Sequence, residues 1–249
     1  MRFLRLVYSF YALITFILFM LVVIPPVIIA SFFGKVRGGN VIYRLCAYWA
    51  DVWFFVIGIG HRNIYEYPHD KNKQYIFVAN HISYLDAPVI VKTLHQRVRA
   101  LGKAEVSKVP LFGFIYRNAV VTVDRSSPAH RANSVRILKS VIRKGISIFI
   151  FPEGTFNETG KPMKDLYDGA FRIAIETQTP IKPILFLDTW RRMHYSSAFS
   201  INPGRSRSVF LKEIPVEGLT SKDVDMLKQK VYQYMEQKLK EYKAGWIKN

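Results

Sequence analysis

The feature that most constrains this chain is a long stretch without charge. From Leu6 to Gly34, 29 consecutive positions carry no charged side chain, and Arg2, Arg5, Lys35 and Arg37 flank them. As a single α-helix the run would measure roughly 44 Å, longer than the roughly 30 Å hydrocarbon core of a bilayer. Such a segment must be covered by lipid or by the rest of the chain. Pro25-Pro26 lies within it. Proline removes a helical donor, so the reading is a kinked helix, a re-entrant helix pair or a helix with a bent exit. The run is long for a signal peptide and has no small-x-small cleavage site, so it predicts a retained membrane segment. Positive charge at both ends leaves the orientation open.

A second apolar stretch runs from Leu45 to Gly60, dense in Trp49, Trp53, Phe54 and Phe55 and interrupted by Asp51. It reads equally as a membrane-contacting helix or as one packed beneath the first. Beyond residue 60 the texture changes to short apolar runs separated by polar turns. This divides the chain into a membrane-associating helical segment, 1–60, and an α/β domain, 61–249.

Within the second part, strands are predicted at Tyr75–Ala79, Arg97–Leu101, Ala119–Val123, Ile146–Phe151, Pro180–Leu187 and Ser206–Leu211. Helices are predicted at Ala87–Leu94, from Ser126-Ser127-Pro128 to Gly145 with Ala132, Val135, Leu138, Val141 and Ile142 inward, and at Asp168–Thr177. Val106–Phe114 is helix or loop. A last amphipathic helix begins at Thr220, with Asp223 completing a capping box. The fold class is α/β: a mixed central sheet flanked by helices, preceded by the apolar N-terminal segment.

The charge balance narrows function. The chain carries 36 Lys+Arg against 18 Asp+Glu, a formal +18, which suits a surface that meets anionic lipid or phosphorylated substrates. The basic residues are scattered and accompany an uncharged terminus, so nucleic acid is not an expected partner. A single cysteine, Cys46, rules out an intramolecular disulfide and a multi-cysteine zinc site. No HExxH and no multi-histidine cluster occurs, so no metal is expected.

Three groups of residues sit where predicted strands end, the edge at which α/β folds place ligands. Asn80-His81 leaves the first strand, and Asp86 follows after four intervening residues. A neutral histidine can take a proton from an attacking hydroxyl, and an aspartate on its other nitrogen fixes the tautomer. Taken alone, the pattern also fits an ordinary loop. Phe151-Pro152-Glu153-Gly154-Thr155 leaves another strand, with a carboxylate that could receive a substrate hydroxyl and a glycine that lets a ligand approach; a plain β-turn reads the same. Lys103 and Arg125 close two further strands and could hold a phosphate, or be surface cations.

In this order the blocks resemble the glycerolipid acyltransferase family, whose best-known members convert 1-acylglycerol-3-phosphate to phosphatidic acid. The resemblance rests on Asn80, His81 and Asp86; on Lys103, Pro110, Gly113 and Arg125; on Phe151 to Thr155; and on Thr179 to Pro183, covering about residues 60 to 215. It implies that His81 is the general base and Asp86 its partner. It implies that Arg125, Glu153, Gly154, Thr155 and Lys103 bind the acceptor, with Asn80, Phe151 and Pro152 supporting. It implies a lysophospholipid acceptor, an acyl-CoA or acyl carrier protein thioester as donor, no cofactor, and a bilayer as partner. The location implied is a cell membrane, the bacterial inner membrane with the catalytic domain on its cytoplasmic side. Two departures from the usual family pattern stand out: Asn118, often Gly, and Phe156-Asn157, often Arg-Ser. Related acyltransferases use other acceptors, including lyso-aminolipids, and a non-catalytic module that binds anionic lipid remains an alternative.

Overall fold

The computed structural model describes residues 2–123 and 128–248, with side chains from 3 to 123 and from 133 to 248. Arg125, Ser126, Ser127 and the side chain of Ala132, all singled out in the sequence, lie outside the described residues.

The chain opens with α1 (Arg2–Ser31), a π-helical turn (Gly34–Gly38) and α2 (Gly39–Val56). The N-terminal run forms one continuous helix that bends only at its exit, and it packs against the helix formed by the second stretch. The helix continues through Pro25 and Pro26 because Val27 and Ala30 are buried against Ile42, Ile115 and Ala119. This packing outweighs two missing donors. The chain turns later, where Gly34 adopts φ +76°. The two helices run antiparallel. Tyr8 donates to the Ile57 carbonyl, Trp53 Nε1 donates to Ala12 O at 3.1 Å, and Gly38 lies so close to Ala30 that a Cβ would sit 2.1 Å from its carbonyl oxygen. The second apolar stretch is therefore largely the helix beneath the first: Ala47, Ala50, Trp53 and Phe54 are buried.

Among the described residues seven strands follow: β1 (Ile59–Tyr65), β2 (Ile76–Ala79), β3 (Val98–Lys103), β4 (Val120–Val123), β5 (Ser147–Ile150), β6 (Ile181–Phe186) and β7 (Gly204–Phe210). Between and after them lie α3 (Asp86–Thr93), α4 (Phe112–Ala119), α5 (Pro128–Ile142), α6 (Gly169–Thr177), α7 (Thr189–Arg192) and α8 (Val224–Glu241). The sheet order is β1-β7-β6-β2-β5-β3-β4, with β6–β7 its antiparallel pair. The sheet is thus mixed, as the sequence implies. The ambiguous 106–114 stretch resolves into a 3-10 turn at Ala104–Lys108 followed by α4.

Side chains alternate between two faces. Ile76, Val78, Ile148 and Ile150 pack under α5, α6 and α8, whereas Phe77, Phe149, Phe186 and Phe210 pack under α2 and α3. Helices on both faces explain why β2, β5 and β6 are buried throughout. At the far end, Thr220 donates both its N–H and its hydroxyl to the Asp223 carboxylate at 2.8 Å, starting the last helical segment.

Because β2, β5, β3 and β4 are parallel neighbours, their carboxyl ends share one edge. His81 follows β2, Phe151 follows β5 and Lys103 closes β3. The register places Lys103 beside Val123, the last described residue of β4.

Candidate active site

β2 ends in a lock. The fully buried Asn80 side chain donates to Phe186 O at 3.0 Å and accepts from Phe186 N at 2.9 Å, fastening the exit of β2 to the end of β6. The next residue is His81, whose ring Nδ1 lies 2.8 Å from Asp86 Oδ2. An ionised carboxylate only accepts, so the bond assigns the proton to Nδ1 and leaves the lone pair on Nε2. Asp86 is fully buried at the start of α3, and the same oxygen accepts the N–H groups of Ile82 and Ser83 at 2.8 and 2.9 Å. The five-residue loop thus folds around its own carboxylate. His81 lies face to face with Phe151, with centroids 3.9 Å apart, and edge-on to Phe156 at 4.4 Å. The ring is held on three sides.

The nearby Ser83 hydroxyl is otherwise engaged. It donates to Met193 O at 2.5 Å and accepts from Leu85 N at 3.0 Å.

Glu153 departs from its sequence expectation. It is 1% exposed and forms no part of the cavity wall. Its Oε1 accepts the His81 N–H at 2.8 Å and its Oε2 accepts the Lys164 N–H at 2.8 Å. This placement makes it a clamp on two backbone segments, each oxygen holding one N–H. Burial pushes its pKa up to about 7, opposed by those two bonds, while the nearby Asp86 charge adds to the rise.

The neighbours of Glu153 do reach the cavity. Gly154, at φ +74°, makes the turn and lines the wall with Phe151, Pro152 and Thr155. The Thr155 hydroxyl accepts from Lys164 Nζ at 2.6 Å. Pro152 is buried, and its carbonyl accepts from Tyr167 N at 2.9 Å. Lys103 is exposed on the same cavity. Arg125 is outside the described residues.

Three contributors were given no site role in the sequence reading, although Phe156-Asn157 stood out there as a departure from the family pattern. Asn157 is 1% exposed. Its N–H donates to His81 O at 2.7 Å, its amide donates to Lys161 O at 2.8 Å, and its Oδ1 accepts from Thr159 N at 3.1 Å. The Asn-x-Thr-Gly run is an Asx-turn signal that could have revealed this knot. Phe156 packs on His81, and no sequence pattern announces that contact. Lys164 looks like any surface lysine until the loop closes.

The cavity measures about 1760 Å³. That exceeds the roughly 300–1,000 Å³ of small-ligand pockets. Its walls run from His81, Thr155 and Lys164 to Phe16, Met20 and Val23 of α1 and Cys46 and Trp49 of α2. It therefore joins a polar end at the sheet edge to an apolar end beneath the helix pair. Among the described residues, no three His, Cys, Asp or Glu side chains gather where they could hold a metal ion. The arrangement suits proton abstraction from a hydroxyl beside an apolar chain.

Comparison with known proteins bears on the family and the fold. A family model described as Acyltransferase matches residues 59–187. An uncharacterised acyltransferase of Schizosaccharomyces pombe is 32% identical over 163 residues, 63% of this chain and 57% of that protein. A 1-acyl-sn-glycerol-3-phosphate acyltransferase of Cocos nucifera is 33% identical over 129 residues, 49% of this chain and 41% of that protein. The matched region thus spans about half the length of these curated relatives. The crystal structure of the 1-acyl-sn-glycerophosphate (LPA) acyltransferase PlsC from Thermotoga maritima superposes with a TM-score of 0.78 over 100% of both chains, at 21% identity. That likeness establishes the fold.

Proposed function

The chain belongs to the acyltransferase family, and from that premise we propose that it moves a fatty acyl group from an acyl thioester to the hydroxyl of a lysophospholipid. The observation that carries this reading is the 2.8 Å His81–Asp86 pair at the polar end of a cavity whose other end is apolar. His81 Nε2 takes the proton of the acceptor hydroxyl as its oxygen attacks the thioester carbonyl. The new C–O bond forms, the C–S bond breaks, and the departing thiolate takes the proton from the imidazolium. Asp86 orients the ring and offsets its transient charge. The apolar end of the cavity accommodates acyl chain.

The acceptor we propose is 1-acylglycerol-3-phosphate, giving phosphatidic acid. Lys103, Thr155 and Gly154 lie at the polar end of the cavity, and Arg125 enters by the family resemblance. The donor is acyl-CoA or an acyl carrier protein thioester, both acidic partners for a chain of +18. Residues 1–60 serve as the membrane-associating segment and 61–249 as the catalytic domain. The proposed setting is the bacterial inner membrane, with the catalytic domain on the cytoplasmic side.

The test is thioester release by the purified full-length protein against a panel of lysolipids, with the lipid products identified by mass. Phosphatidic acid formed with the highest kcat/KM of the panel is expected. A phosphate-free lyso-aminolipid that wins by tenfold, about 1.4 kcal/mol, overturns the acceptor. Absence of any acylated lysolipid from folded protein overturns the whole reading.

A further inference from the structure

In 1-acylglycerol-3-phosphate the attacking hydroxyl and the phosphate sit on neighbouring carbons. A site that uses this acceptor must hold its base and its phosphate-binding cation at a short, fixed separation. The buried Glu153 supplies such a link. One carboxylate oxygen takes the His81 N–H and the other takes the Lys164 N–H, each at 2.8 Å.

Lys164 is in turn aimed. Its Nζ donates to Thr155 Oγ1 at 2.6 Å, and both side chains line the cavity that His81 lines. The ammonium keeps two further N–H groups, and the hydroxyl, acting as acceptor here, keeps its own O–H to donate. Other lysines of this chain meet carboxylates: Lys92 with Asp51, Lys139 with Glu176, Lys228 with Asp168. Among the described residues, none makes an ion pair with Lys164. Its Nζ is held by a neutral hydroxyl on the wall of the cavity, and its charge also acts on the buried Glu153, whose oxygens already hold two backbone N–H groups.

We propose that Lys164 and Thr155 form an anion subsite that receives the acceptor phosphate, and that Glu153 is the positioning residue that sets this subsite relative to His81. The inference rests on the acyl-transfer reading and deepens it.

The experiment compares wild type, Lys164→Met and Lys164→Arg in the full-length protein, with the same thioester donor and two acceptors: 1-acylglycerol-3-phosphate and 1-monoacylglycerol, which lacks the phosphate. Lys164→Met is expected to raise KM for the phosphate-bearing acceptor at least tenfold, to leave monoacylglycerol kinetics within twofold, and to weaken competitive inhibition by glycerol 3-phosphate by a similar factor. Lys164→Arg keeps the charge and stays within about threefold of wild type. Glu153→Gln is expected to harm the phosphate-bearing acceptor more than monoacylglycerol, a split that general loosening of the fold would not produce. Unchanged KM and unchanged glycerol 3-phosphate inhibition in Lys164→Met overturn the inference alone, as does an equal loss on both acceptors. A wild type that transfers to no phosphate-bearing acceptor overturns the inference and the acceptor reading together.

Discussion

A buried carboxylate that accepts two backbone N–H groups is pulled in opposite directions. Burial disfavours the charge on Glu153, while the bonds to His81 and Lys164 favour it, and burial prevails, with the pKa raised to about 7. The folded state therefore binds a proton more tightly than the unfolded chain does. The associated stability is fully present below the unfolded pKa of about 4.5 and is lost as pH rises through about 7. Glu153→Gln cannot ionise. Its amide also sets an N–H against one of the two backbone donors, which costs about 1–3 kcal/mol. We expect wild type to melt above Glu153→Gln at pH 5 and the gap to narrow by pH 8. A gap constant across that range would mean that Glu153 does not change charge there. His81→Ala should abolish thioester-dependent acylation while the circular dichroism spectrum is retained, and Asp86→Asn should lower turnover by about 10²–10⁴. Near-normal turnover in His81→Ala would remove it as the base. His81 and Asp86 were legible because they lie five residues apart and close their loop locally. Glu153 could be found but not understood from sequence, because its partner Lys164 comes into place only when Asn157 knots the intervening loop.

At the scale of elements, the junction between the helix pair and the sheet turns on one guanidinium. Arg99, on β3, is 4% exposed, and its Nη2 donates to Lys35 O, Val36 O and Asn40 Oδ1 at 3.1, 3.3 and 2.9 Å. Carbonyls at the π-helical turn are thereby satisfied by a residue more than fifty positions away. Arg99→Met removes that donor from these half-buried contacts, at a cost of about 1.5–3 kcal/mol for bonds to a charged group. The expected result is a melting temperature lower by roughly 3–12 °C, with earlier proteolysis at residues 34–38. A variant melting with wild type would show that the turn stands without Arg99. The buried strands were legible from their continuous apolar runs. β1 was not, because His61, Arg62 and Asn63 interrupt its pattern. Its polar residues are accommodated by pairing: His61 Nδ1 lies 3.1 Å from the buried Ser206 hydroxyl of β7. Pro25-Pro26 misled in the opposite direction, since local propensity yields to the packing of Val27 and Ala30.

At the scale of the whole molecule, the helix pair presents an outer surface unlike the rest. Val22, Ile29, Phe32 and Phe33 are 71%, 63%, 83% and 66% exposed, and Phe55 is 85% exposed. Phe3 to Ser31 has a mean hydropathy of 2.9 over its most apolar window and is long enough to cross a membrane. Each such side chain transferred to lipid contributes up to about 1.5–3 kcal/mol. Replacing Val22, Ile29, Phe32 and Phe33 together by serine should move full-length protein from the vesicle pellet toward the supernatant, whereas 1 M salt should not release wild type. Release of wild type by salt alone would mark the attachment as electrostatic. The α/β class and the apolar segment were plain in the sequence. Their union was not: nothing in residues 6–34 announces that Phe16, Met20 and Val23 also wall the cavity that reaches His81.

That double duty of α1 has a kinetic consequence under the proposed function. A helix that is both outer skin and inner wall lets a lipid enter sideways from a leaflet, without first dissolving in water. The encounter is then a search in two dimensions. Velocity should follow the acceptor's mole fraction in the vesicle and fall when inert lipid is added at constant bulk concentration.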